Sequence, residues 1–141
     1  MYNRRFPFHH TPASGKRLDF IRIMIAIIAE KPSVGQDIAR VVGATEKKDG
    51  YIVGNDYMVT WALGHLVSLA LPDAYGYTRT AAEDLPMIPD PFRLVVRQVR
   101  TDRGMVTDIA AGRQLKVIGE VLAGCESIIV ATDAGREGEL I

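Results

Sequence analysis

Two stretches of the chain are apolar without alternation, Met24-Ile-Ala-Ile-Ile-Ala29 and Ile128-Ile-Val-Ala131. Neither has the polar interruptions of a half-solvated strand, so each predicts a strand of a parallel sheet buried on both faces. Between them the period changes repeatedly. Ser33 and Gln36 stand at capping-box spacing, Pro32 limits what precedes them and Gly43 supplies a stop, which predicts a short helix over 34–42. Gly50 to Trp61 holds two β-rich runs around Gly54-Asn55, the signature of a β-hairpin. Residues 71–91 carry Pro72, Pro86, Pro89 and Pro91 among few periodic apolar positions, so a long irregular insertion is expected there. Phe92 to Val99 returns to strand. Ala111, Leu115, Ile118 and Leu122 recur at helical spacing, predicting a helix over 108–123 capped by Thr107 and stopped by Gly124.

Strand, turn, helix and a later buried strand together predict an α/β domain with a mostly parallel central sheet, helices on both faces, a β-hairpin and the irregular insertion. The domain is expected to run over 24–141. Residues 1–23 mix prolines, paired basics and paired histidines without a period, the composition of a disordered tail, and Met24 could be an original start with an upstream extension before it.

Composition narrows the function classes. With 141 residues and 48% hydrophobic content the chain can bury a core of its own. Seventeen Lys+Arg against seventeen Asp+Glu leave no bulk positive field, so contact with nucleic acid has to come from a local patch. One cysteine, Cys125, excludes an internal disulfide and a paired-cysteine zinc site, and it reads as a small buried hydrophobe. The apolar run from Phe20 to Ala29 is interrupted by Arg22 and too short to span a bilayer, so no membrane partner is expected and the cytoplasm is the default.

Both buried strands end in acid. Glu30 follows the first and Asp133 the last, and neighbouring parallel strands deliver their C-terminal residues to one edge, so the two carboxylates can converge across 103 positions. Taken singly, each has an ordinary reading: a solvated charge at a strand end, or a turn aspartate. Converging carboxylates suit a hard cation, and Mg²⁺ takes a few carboxylate oxygens with water and substrate phosphate.

Ala29-Glu-Lys-Pro-Ser33, Val59-Thr-Trp-Ala-Leu-Gly-His-Leu66 with Leu71-Pro-Asp-Ala-Tyr75, and Ala131-Thr-Asp-Ala-Gly-Arg-Glu-Gly-Glu-Leu140 together resemble the Toprim domain of type IA DNA topoisomerases, and the likeness is to the bacterial topoisomerase III group. The match runs in order from Met24 to Ile141. The resemblance implies a Rossmann-like fold and an ATP-independent, Mg²⁺-dependent enzyme that cleaves and rejoins one DNA strand through a tyrosine on a later domain. It implies Glu30 and Lys31 as catalytic residues, Glu30 as a proton donor and Lys31 as positive charge on the phosphodiester. Asp133 and Glu137, with Glu30, would hold Mg²⁺. Gly135 stands where many members carry a further acid, and Ala81 and Ala82 where many carry a tryptophan. Lys31, His65, Arg79 and Arg136 would contact DNA, Arg136 beside the backbone N–H groups of the helix that follows.

Bland readings stand beside these. His65 can be a satisfied structural residue, Arg136 a surface salt bridge, and Met58 and Trp61 core rather than stacking platforms. The resemblance further implies single-stranded DNA and the parent's remaining domains as partners, a nucleoid location, and an inactive fragment, since none of Tyr2, Tyr51, Tyr57, Tyr75 or Tyr77 has the nucleophile's surroundings. A primase- or nuclease-type Toprim domain and a non-catalytic nucleic-acid-binding module are the alternatives.

Overall fold

A computed structural model describes residues 23–77, 81–102 and 104–141. The expected tail over 1–23 lies outside the described residues, save for Ile23. The first strand, β1 (Ile25–Ala29), leads through Glu30 and Lys31 into helix α1 (Pro32–Val42). The expected capping box is not used. Lys31 is the cap, in extended backbone and without a side-chain hydrogen bond, because Pro32 takes the first helical position and draws Ser33 inside the first turn. Gly43 ends the helix at φ +76, the left-handed conformation that a residue with a Cβ adopts at a cost.

A meander follows: β2 (Glu46–Lys48), β3 (Tyr51–Gly54) and β4 (Tyr57–Trp61). The β3–β4 turn sits one residue beyond the expected Gly54-Asn55, at Asn55-Asp56, both with positive φ as a two-residue hairpin of matching twist requires. Across β5 (Val67–Leu69) the chain enters the insertion, whose described residues hold two short 3₁₀ turns, at Pro72–Tyr75 and Ala82–Asp84, and are otherwise irregular. The single strand expected over 92–99 is divided at Arg97 into β6 (Leu94–Val96), which pairs with β5, and β7 (Gln98–Thr101), which pairs with β8 (Gly104–Thr107). Helix α2 (Ile109–Ala123), strand β9 (Ser127–Ala131) and the short helix α3 (Arg136–Leu140) complete the chain.

The main sheet has the order β2-β3-β4-β1-β9. The strands β4, β1 and β9 run parallel, while β2, β3 and β4 run antiparallel, so the α/β sheet is mixed, with β1 at the centre of its parallel part. Helices cover both faces, as the alternation along β1 requires. Ile27 joins Ala39 of α1, Ile52 and Val59 in one buried cluster, and Ile28 packs against the other, where Ala111 and Ile118 of α2 meet Ala62 and Leu66. Trp61 belongs to the first cluster, as its core reading anticipated. It lies so close to Gly35 that a Cβ there would stand 2.7 Å from Cε3 of the indole ring. On the other face Gln114 of α2 is buried, and its amide donates to the carbonyls of Gly50 (3.1 Å) and Trp61 (2.7 Å) and to Thr60 Oγ1 (3.2 Å). Thr60 Oγ1 in turn donates to the Gly50 carbonyl at 2.9 Å, so the buried polar pair is satisfied and pins α2 to the C-terminal end of β4.

Strand β9 corrects one expectation. It is an edge strand here and not one buried on both faces: Ile129 is 40% and Val130 62% exposed. An unalternating apolar run shows that both faces are fit for burial, but it carries no information on whether a neighbour lies at its side. Cys125, just before β9, is half-buried, and desolvation pushes its thiol pKa up.

Candidate active site at the C-terminal edge of the sheet

Register places the two acids. Ala29 of β1 pairs with Ala131 of β9 in parallel, so Glu30 leaves the sheet one residue beyond that pair and Asp133 two residues beyond it, on the same edge. Glu30 is half-buried, and Lys31 and Asp133 are exposed. Among the described residues, neither acid makes a side-chain hydrogen bond or salt bridge.

A tight turn then folds the chain back. The Gly135 N–H donates to the Asp133 carbonyl (2.9 Å), Thr132 Oγ1 donates to the Gly138 carbonyl (2.8 Å), and α3 begins at Arg136. Gly138 is buried against this turn. A Cβ built on it would fall 1.9 Å from the carbonyl oxygen of Asp133, so the helix start can lie on the Asp133 backbone because residue 138 has no side chain. Gly135 differs. Its φ of −158° is ordinary extended backbone and nothing lies within 4 Å of a Cβ there, so neither angle nor space demands glycine at 135.

The turn sets Glu137 facing a residue from a distant segment. His65 Nε2 lies 2.9 Å from Glu137 Oε2, across 72 positions of sequence, with both side chains substantially solvent-exposed. His65 comes from the link between β4 and β5, where Gly64 adopts φ +69. That link is fixed from below by Arg97. Its Nη1 donates to the carbonyls of Leu63 (2.7 Å) and His65 (3.2 Å), while Nε (2.9 Å) and Nη2 (2.6 Å) both donate to Asp108 Oδ2. The other carboxylate oxygen of Asp108 caps α2, accepting from the N–H groups of Ala110 (2.9 Å) and Ala111 (3.1 Å). The Arg97 guanidinium, and after it the Ala111 N–H, hold the Asp108 carboxyl below its ordinary pKa.

Sequence reasoning missed both of these residues. The signal for Asp108 was present, since an aspartate directly before an amphipathic run is a preferred cap, but the neighbouring Thr107 drew that assignment. The signal for Arg97 was a charge within an otherwise apolar strand segment, Leu94-Val95-Val96-Arg97.

The expected site residues therefore divide. Glu30, Lys31 and Asp133 lie at one edge of the sheet, Arg136 and Glu137 open the helix packed on the Asp133 backbone there, and His65 joins them through Glu137. Arg136 is exposed and, among the described residues, makes no salt bridge. Arg79 lies outside the described residues. No three His, Cys, Asp or Glu side chains among the described residues are gathered closely enough to hold a metal ion by themselves. The donor set is carboxylate oxygen on an open edge, which fits a hard cation that keeps most of its waters and shares a ligand with a substrate phosphate. It does not fit a cation enclosed by protein alone.

The Toprim domain family profile matches residues 25–141. DNA topoisomerase 3 of Bacillus licheniformis is 46% identical over 119 residues, which cover 82% of this chain and 15% of that protein. The proteins of the same name from Bacillus subtilis (45% over 119 residues) and Shouchella clausii (47% over 118 residues) align with the same shares. The chain thus spans about 15% of the length of these curated relatives. With a parallel sheet edge that gathers its acids and a family profile that spans nearly all of its described residues, the chain belongs to the Toprim domain family.

Proposed function

We propose that this chain is the Toprim portion of a type IA, topoisomerase III-like enzyme that cleaves and rejoins one DNA strand without ATP. The observation that carries the reading is the emergence of Glu30 and Asp133 from adjacent parallel strands at one sheet edge, with the start of α3, which carries Glu137, folded back onto the Asp133 backbone at Gly138. In this reading Glu30 donates the proton to the leaving 3′ oxygen. Lys31 and Arg136 bring positive charge to the phosphates of a single-stranded segment. Asp133 and Glu137, assisted by Glu30, would hold Mg²⁺, whose charge when bound offsets that of the phosphodiester. The nucleophilic tyrosine belongs to another domain of a longer polypeptide acting on DNA in the cytoplasm, and this chain alone has no cleavage activity.

Cleavage of a labelled single-stranded oligonucleotide by that longer enzyme tests the reading. Glu30→Gln should lower the yield of covalent adduct by about 10²-fold or more, the scale of a lost general acid. Wild-type yield from Glu30→Gln and Asp133→Asn alike would overturn the assignment and leave the non-catalytic binding module, the reading that Gly135 in place of a further acid favours.

A further inference from the structure

We propose that Arg97 is a positioning residue for the acidic edge: locked to Asp108, it holds the backbone of the Leu63–His65 link so that the His65 ring meets and orients Glu137. The proposal rests on the reading of Glu137 as a metal-site carboxylate, but its geometric part stands apart from that reading.

The arrangement is a continuous strut. Asp108 is anchored at the start of a 15-residue helix, because one carboxylate oxygen caps that helix and the other is left for the guanidinium. Arg97 is anchored twice over by its own backbone, its N–H donating to the Leu66 carbonyl and its carbonyl accepting from the Asp108 N–H, each at 2.8 Å. Only about a third of its side chain is exposed, and 17% of that of Asp108, so the pair is shielded from the competition that makes exposed ion pairs weak. From this base the guanidinium reaches up to two carbonyls that flank Gly64. The left-handed φ of Gly64 turns the chain at that point, and without an anchor on both sides an exposed link of this kind would leave the imidazole free to rotate away.

Lysine cannot replace this arginine. One ammonium has neither the planar fork that engages Asp108 through Nε and Nη2 nor the opposite edge that serves the carbonyls. The consequence falls on Glu137. Its carboxylate is about 80% exposed and the His65 ring is the partner that restricts it. Hydrogen-bonded partners of ligating groups typically change metal affinity by about 10- to 100-fold when lost.

The test uses the 141-residue chain with Arg97→Lys, and Asp108→Asn as a milder variant that keeps a capping oxygen but removes the charge holding the guanidinium. Thermal melts establish that each variant is folded. Two quantities are then read at one pH: the NOE between the His65 ring protons and Glu137 Hγ, and the affinity for Mn²⁺ alone, followed by EPR of the free ion. We expect the NOE to be strong in the wild-type chain and lost in the folded variants, with Mn²⁺ binding weakened about tenfold. An NOE that persists in a folded variant overturns the strut, whatever the metal does. An NOE lost on substitution in a chain whose wild type takes up no Mn²⁺ upholds the strut and rejects the metal reading of Glu137.

Discussion

Position 138 admits nothing larger than glycine. The start of α3 rests on the carbonyl of Asp133, and a methyl group at 138 has to push the turn and the helix apart. Gly138→Ala should therefore destabilise the chain by about 1–3 kcal/mol, the cost of overpacking a close contact, and lower its Tm by several degrees in a calorimetric scan. A melt unchanged from wild type would show that α3 does not lie on Asp133. Gly135, three residues earlier, makes the opposite case. Its extended backbone and open surroundings accept any side chain, which leaves charge and the N-cap position of α3 to set the effect of Gly135→Asp. The added carboxylate stands between Asp133 and Glu137 in sequence, so without metal like-charge repulsion offsets what an aspartate cap adds to α3, and the variant should melt no higher than wild type. Mg²⁺ should then raise its Tm more than it raises that of wild type, since an ion bound by the folded state alone stabilises that state. Equal shifts across a Mg²⁺ titration would mean that position 135 does not face the ion. The sequence shows glycine at both positions with nothing to tell them apart, because the difference lies in what approaches each Cβ.

Among the elements, α2 shows what the pattern of apolar positions can and cannot convey. Ala111, Leu115, Ile118 and Leu122 marked its extent within a residue, and all four pack in the cluster it shares with the sheet. Its cap was misassigned by one position because Thr107 and Asp108 are both capping types, and the choice is made by Arg97, eleven residues away. The same pairing gives the helix a pH dependence. Asp108 has a lowered pKa in the folded chain, so its contribution to stability is fully present above the unfolded-state value of about 4. It is lost as pH falls through the lower, folded value. Asp108→Asn should melt below wild type at pH 7, with the gap closing as the pH is taken below about 4. A gap that stays constant from pH 7 to pH 3 would show that the carboxylate's charge does not contribute. Strand β9 was located correctly and its surroundings were not. Its apolar residues record suitability for burial, while its place at the sheet edge follows from the order of strands, which no local pattern encodes.

At the scale of the whole molecule, the α/β class, the helices on both faces and the common edge for Glu30 and Asp133 followed from two unalternating apolar runs and the rule that parallel neighbours end together. The β3–β4 hairpin was legible too, from its two β-rich runs, whereas β2, an exposed Glu-Lys-Lys with no apolar pattern, was not, and neither was the strut beneath His65, which joins segments far apart in the chain. Charge supplies the remaining test at this scale. Because the 17 basic and 17 acidic residues cancel, the proposed function puts any affinity for single-stranded DNA on a local patch, the cations beside the acidic edge, with Lys31 and Arg136 foremost, both exposed. Two phosphate contacts release few counterions: for a single strand the expected slope of log K against log salt is roughly −1.4, or about a sevenfold loss between 50 and 200 mM. Lys31→Ala and Arg136→Ala should each reduce that slope by about 0.7 and weaken binding to all sequences alike, since phosphate contacts carry no base readout. Fluorescence anisotropy with a labelled oligonucleotide over a salt series measures both quantities. A slope that neither substitution changes would place the DNA elsewhere on the chain and separate the acidic edge from any role in binding it.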